Sequence, residues 1–202
     1  MRNKTSIPKW GHHLPNLLTM INAVMGILAI FLLVGGVAPV RTACALVFVG
    51  ALADALDGKI ARFWNVESAL GKQLDSFADS ITFGLVPAAI LYAFPPLRQH
   101  QLLLPLLISY ATAGFFRLAR FNLGDFSDYF LGLPITAAGC IVSLYAIIID
   151  AYAPIASSSH LLATTAILLA VLSGLMVSRI KIKRPQIVRQ GLRPKTSGVR
   201  HP

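Results

Sequence analysis

Asp54, Asp57, Asp75 and Asp79 make up half of the 8 acidic residues in a chain of 202, and their spacing suits chemistry at phosphorus. They lie in apolar surroundings, where an ionisable residue is costly and therefore marks function. Asp54, Asp57, Gly58, Ala61 and Arg62 are followed by Gly71, Asp75 and Asp79, in the pattern DxxDGxxARx8GxxxDxxxD. At about 100° per helical residue, Asp57, Gly58, Ala61 and Arg62 all fall within about 80° of Asp54. Gly71, Asp75 and Asp79 are spaced by four and stack along one stripe of the next helix. Two antiparallel neighbours thus face each other with a carboxylate pair each, and such a group repels itself unless a cation neutralises it.

With no His or Cys nearby, the donors are hard oxygens, which suit Mg²⁺, Mn²⁺ or Ca²⁺ and not zinc. Two divalent ions clamping both oxygens of an in-line displacement is the chemistry best matched to several aspartates held this way. Gly58, Ala61 and Gly71 leave a notch for a flat ligand, and Arg62 is in reach of a phosphate. The same small residues also serve close helix packing in membranes.

The elements that position these groups are helices. Hydrophobic residues are 55% of the chain, and apolar stretches of membrane-spanning length fall at about 17–36, 42–62, 73–94, 102–121, 133–151 and 160–180. The expected fold is all-α, a polytopic membrane protein of six transmembrane helices. Residues 1–15 form a juxtamembrane segment, 16–182 the six-helix domain and 183–202 a basic tail. The first stretch lacks a small-x-small cleavage site and is expected to be retained. Ile7, Trp10 and Leu14, interleaved with Lys9, His12 and His13, make either an interfacial segment ending at Pro15 or a charged tether with an aromatic anchor.

The formal charge is +10, with 18 Lys and Arg. Placing both termini in the cytoplasm puts all of these basic residues inside except Arg41 and Arg98, as the positive-inside rule requires. The site then faces the cytoplasm from the cell membrane, and nucleic acid is not an expected partner. Cys44 and Cys140 stand in separate helices with no CxxC pattern, and both are expected to be small packing residues.

The aspartate pattern resembles the signature of the CDP-alcohol phosphotransferase family, with every fixed position present. The resemblance implies a six-helix membrane enzyme, a homodimer, in which an alcohol attacks the β-phosphate of a CDP-linked donor and CMP leaves. It implies two Mg²⁺ or Mn²⁺ ions per site on Asp54, Asp57 and Asp75. Asp79 would be a further ligand and the general base. Gly58, Ala61 and Gly71 would accommodate the cytidine nucleotide, alongside Asn16, Thr19 and Arg62.

Three more stretches, LPNLLT at Leu14–Thr19, FRLARFN at Phe116–Asn122 and GLP at Gly132–Pro134, resemble the branch of the family that uses CDP-diacylglycerol and L-serine. In that reading Arg117 or Arg120 forks onto the serine carboxylate, helped by Asn122, with Asp125 and Asp128 close in sequence. Positive-inside anchoring explains the two arginines equally simply, and an N-terminal cap explains Asn16 and Thr19. Glycerol 3-phosphate or an inositol phosphate is the alternative acceptor. A cation or proton transporter would also account for buried carboxylates, but not for the Gly, Ala and Arg positions.

Overall fold

Proline and serine punctuate this chain where its helices begin. Pro15 opens α1 (Leu14–Val34), where its missing N–H would have had no helical partner. The computed structural model describes residues 13–66, 68–123, 129–152, 157–179 and 181–183. After α1 come α2 (Val40–Trp64), α3 (Ala69–Tyr92), a single turn at Pro95–Arg98 and α4 (Leu103–Leu123). The chain continues with β1 (Tyr129–Leu131), α5 (Ile135–Tyr152), α6 (Ser158–Val177) and β2 (Lys181–Lys183).

Each long helix overlaps one of the six apolar stretches expected from the sequence. Four of them, α1, α3, α5 and α6, are long and apolar enough to cross a membrane. The other two have 25 and 21 residues and carry Asp54, Asp57, Lys59 and Arg62 on α2 and Arg117 and Arg120 on α4. Outward faces are apolar, with Phe31, Val34, Leu17 and Ile108 all exposed. The core between the helices is built from Val47, Phe83, Ile90, Tyr110, Val142, Leu169 and Met176. Cys44 is buried, Cys140 is half-buried, and both are free thiols.

α1 lies along α2 and crosses the start of α3, α5 packs on α2, and α6 packs on α4. The turn from α2 into α3 is tight. Asn65 closes α2 in the left-handed region at φ 54, and the Ser68 hydroxyl caps α3 by accepting from the Gly71 N–H at 2.9 Å. That cap starts α3 at Ala69, four residues before the apolar stretch begins at 73. Gly71, Lys72 and Gln73 interrupt the apolar run just after Leu70, so hydrophobicity alone misses the first turn of α3.

Residues Ser80–Leu85 of α3 form a π-helical turn. Pro87, just beyond it, has no N–H to give the carbonyl of Phe83, the acceptor four residues back. The Tyr110 hydroxyl of α4 donates to that carbonyl at 2.8 Å. α5 crosses the same turn at Gly139, where a Cβ would stand 2.8 Å from the Phe83 Cα. The π turn is therefore enclosed by two neighbouring helices.

The expectation of strictly helical structure needs one addition. β1 and β2 pair antiparallel, Phe130 opposite Ile182, and tie the α4–α5 connection to the segment after α6. Gly132, at φ +67, passes so close to the end of α6 that a Cβ would be 2.7 Å from the Leu175 carbonyl oxygen. The basic tail beyond Lys183, the segment before His13, and Glu67, Asp125 and Asp128 lie outside the described residues.

Tyr110→Phe removes the buried hydroxyl donor to the Phe83 carbonyl, at a cost of about 1–3 kcal/mol. Thermal unfolding in detergent should show a lower Tm for Tyr110→Phe than for the parent chain.

Candidate active site

Two helices bring three carboxylates into one acidic cluster. Asp54 and Asp57 on α2 and Asp75 on α3 each place a carboxylate oxygen within 4.8 Å of the others. The antiparallel turn at Asn65–Ser68 makes this possible, because it sets the carboxylate stripe of α2 against that of α3. Two of the three carboxylates receive a hydroxyl from elsewhere. Thr19 of α1 donates to Asp57 Oδ2 at 2.7 Å, and Thr136 of α5 donates to Asp54 Oδ2 at 3.2 Å.

Among the described residues Asp75 receives no hydrogen bond, and its Oδ1 is buried without a partner. Among the described residues no Lys or Arg forms an ion pair with Asp54, Asp57, Asp75 or Asp79, the one salt bridge being Arg41 to Asp150 at 2.7 Å. Arg62 exerts only a through-space pull on Asp54 and Asp57. A buried carboxylate oxygen with no donor and no counter-ion must be neutralised, either by a proton or by a bound cation. Three convergent carboxylates offer a cation hard oxygen ligands, so the donor set fits a divalent metal.

Asp79 sits one turn further into α3. It is buried, 6% exposed, and is not one of the three converging carboxylates. Its Oδ1 accepts from Asn22 Nδ2 at 3.2 Å. The Asp79 carboxylate acts through space on the buried Arg117 guanidinium, whose Nε has no hydrogen-bond partner among the described residues.

Above the cluster opens a cavity of about 570 Å³. Its lining includes Asn16, Thr19, Asp57, Gly58, Ala61, Arg62, Gly71 and Asp75, so most of the positions expected to bind a nucleotide share one space. Gly58 is open on its Cβ side, with Arg62 as its nearest side chain at 3.6 Å. Gly71 is the opposite case: a Cβ there would lie 2.9 Å from Asn16 Oδ1, so this glycine lets α1 approach α3.

The residues expected to take the acceptor do not line this cavity as a group. Arg120 donates to the carbonyls of Val177 and Ser178 at 2.9 and 3.0 Å, closing the C-terminus of α6. Asn122 donates to the Ser76 hydroxyl at 2.8 Å. None of the three lines the cavity, and Arg117 interacts with Asp79 through space.

The sequence of residues 12–178 matches the profile of the CDP-alcohol phosphatidyltransferase family. The chain belongs to that family. It is similar to a CDP-diacylglycerol serine O-phosphatidyltransferase of Bacillus subtilis, 34% identical over 84% of this chain and 89% of the relative. The Helicobacter pylori protein of the same name is 32% identical over 89% of this chain and 75% of the relative. An archaetidylserine synthase of Methanothermobacter thermautotrophicus is 38% identical over 65% and 57%. As a family member the chain has the expected acidic cluster in a geometry that can hold a divalent ion.

Sequence reasoning missed several contributors. Asn22 stands one turn beyond Thr19, and an Asn at the next turn of an apolar helix was a readable signal. Thr136 follows the GLP stretch closely, but a lone Thr in an apolar helix carries no such mark. Lys72 and Phe121 also line the cavity, with the Lys72 ammonium 5.5 Å from the ring centroid. Their proximity is a product of the α3–α4 packing and has no trace in linear spacing.

Hydroxyls that orient metal-binding carboxylates typically matter about 10- to 100-fold in metal affinity. Thr19→Val and Thr136→Val should each weaken Mn²⁺ binding by about that factor, read by an electron paramagnetic resonance titration of the purified protein. Asp75→Asn should weaken it more than either.

Proposed function

We propose that this chain transfers the phosphatidyl group of CDP-diacylglycerol to the hydroxyl of L-serine, giving phosphatidylserine and CMP. The observation that carries this reading is the acidic cluster, two of whose members, Asp57 and Asp75, line one cavity together with Gly58, Ala61 and Gly71. The names and extents of the similar proteins support serine as the acceptor. An ether-lipid donor, suggested by the archaetidylserine relative, would use the same site.

In the proposed complex, α2 and α4 also span the membrane, both termini are cytoplasmic, and the cavity opens to the cytoplasm. The excess of basic residues on that side supports this arrangement. Residues 16–182 form the catalytic domain, flanked by the 1–15 segment and the 183–202 tail, and the enzyme works as a homodimer. The acyl chains of the donor remain in the bilayer while its headgroup enters the cavity.

Asp54, Asp57 and Asp75 would hold the metal, two Mg²⁺ or Mn²⁺ ions being expected with Asp79 as a further ligand. Bound divalent metal neutralises the pyrophosphate and the charge that develops on departing CMP. Gly58 leaves room for the cytidine, Ala61 and Gly71 keep the walls thin, and Asn16 and Arg62 face the same space. Thr19 contributes through Asp57, to which it already donates.

The serine oxygen attacks the β-phosphorus, the bond from that phosphorus to the bridging oxygen of CMP breaks, and the serine hydroxyl proton passes to Asp79. Arg117 is the cation best placed for the acceptor carboxylate, because it is buried, near Asp79 and has a free donor at Nε. Asn122 would border the acceptor from α4. Arg120 serves the acceptor side indirectly, by fixing the end of α4.

Purified protein in detergent, supplied with CDP-diacylglycerol, Mn²⁺ and L-serine, should release CMP and form phosphatidylserine without any membrane gradient. Product formed from glycerol 3-phosphate or inositol phosphate, and not from serine, would overturn the assignment of acceptor. Asp79→Asn should lower kcat by about 10²- to 10⁴-fold, the range of general base catalysis. Full turnover of Asp79→Asn at saturating metal would remove Asp79 as the base.

A further inference from the structure

Asn22 is a fully buried amide in the middle of a helix that otherwise reads as lipid-facing. Its side chain donates to Asp79 Oδ1 at 3.2 Å. Its backbone carbonyl accepts from the Thr82 hydroxyl at 2.9 Å. Asp79 and Thr82 lie on either side of the start of the π turn Ser80–Leu85, so one residue of α1 grips α3 on both sides of the point where its helical phase changes.

The surroundings leave that grip little freedom. A Cβ at Gly50 would stand 2.8 Å from both Asn22 Oδ1 and Thr82 Cγ2. A Cβ at Gly26 would collide with the Thr82 hydroxyl. Both helices beside Thr82 therefore carry glycine where they meet it. Asn22 Oδ1 has no hydrogen-bond partner of its own, so the amide is committed to Asp79 as a donor and gains nothing from its second polar atom.

We infer that Asn22 is a positioning residue that fixes the direction of the Asp79 carboxylate for proton transfer, through the hydrogen bond its amide donates. A π turn inserts an extra residue per turn and shifts the side chains that follow, and Asp79 is the last residue before it. The Asn22 amide is neutral, so it orients the carboxylate by one donated hydrogen bond without cancelling its charge as a Lys or Arg would. This inference rests on the proposed role of Asp79 as base.

The test uses the full chain in detergent with Asn22→Leu, Asn22→Asp and Thr82→Val, each checked for folding by its Tm. Mn²⁺ affinity is titrated, and kcat and the KM for CDP-diacylglycerol are measured by CMP release. Asn22→Leu should lower kcat about 10²-fold, while the Mn²⁺ Kd and the donor KM stay within about threefold of the parent. Thr82→Val should lower kcat in the same direction by less. Asn22→Asp keeps the volume and the backbone bond to Thr82 but loses the donor, and substitutes for Asn22→Leu should the latter not fold.

A folded Asn22→Leu or Asn22→Asp variant with kcat within twofold of the parent would overturn the inference. So would a loss of Mn²⁺ affinity as large as the loss in kcat, which would assign Asn22 to the metal cluster. A double-mutant cycle on Tm with Asp79→Leu needs no activity: the effect of Asn22→Leu should shrink once Asp79 is gone, and equal effects in both backgrounds would refute the bond. If the parent releases no CMP from CDP-diacylglycerol and serine, the functional reading fails, and the Asn22–Asp79 contact is still judged by the cycle.

Discussion

Forcing Asp54, Asp57 and Asp75 together inside a largely apolar bundle is the constraint around which this molecule is organised. Like charges at such separations repel strongly where the dielectric is low, and none of the three has an ion-pair partner among the described residues. The surrounding helices provide hydrogen bonds and close packing. The Asn65 turn and the Ser68 cap bring α2 and α3 into opposition, α1 and α5 each bring one hydroxyl, and the remaining deficit at Asp75 is left for a cation. The fold thus holds a cluster that is electrostatically incomplete by itself, with a donor set that fits a divalent ion.

α1 has the largest part in this arrangement. Asn16, Thr19 and Asn22 recur at every third residue, and the structure directs each at a different part of the site: Asn16 toward Gly71, Thr19 onto Asp57 and Asn22 onto Asp79. A helix that faces lipid on most of its circumference therefore presents a narrow polar edge to the aspartates. The glycines at 26, 50 and 71 allow that edge to come close. Close approach and polar contact are the general means by which helices associate in membranes, and here both also serve to orient carboxylates.

The aspartate spacing makes the cluster and its two helices legible in the amino-acid sequence, because a four-residue period and a three-residue step each fix a helical face. The six long helices are legible from apolar runs, and an end is displaced where a side-chain cap such as Ser68 begins the helix ahead of the run. The π turn is hidden. Pro87 marks a lost backbone donor but does not say whether the helix kinks, breaks or widens, and the answer lies in Tyr110 and Gly139 on other helices. Arg120 is legible only as a basic residue near a membrane end, and its partners at Val177 and Ser178 are more than fifty residues away. Contacts across such separations depend on how the helices pack, which linear spacing does not encode.

The bond from Arg120 to the end of α6 also bears on how the molecule is built on the ribosome. α4 is synthesised long before Val177 and Ser178 exist, so its guanidinium has no carbonyl to hold until nearly all of the described chain has been made. The β1–β2 pairing and the contact of Gly132 with the Leu175 carbonyl wait for the same segment. The four aspartates and their partners Thr19, Asn22 and Thr136 are already present by then, and only the fastening of α4 comes last. A nascent chain that stalls before α6 is complete would carry every side chain of the acidic cluster and still lack the clasp that fixes the helix bearing Arg117.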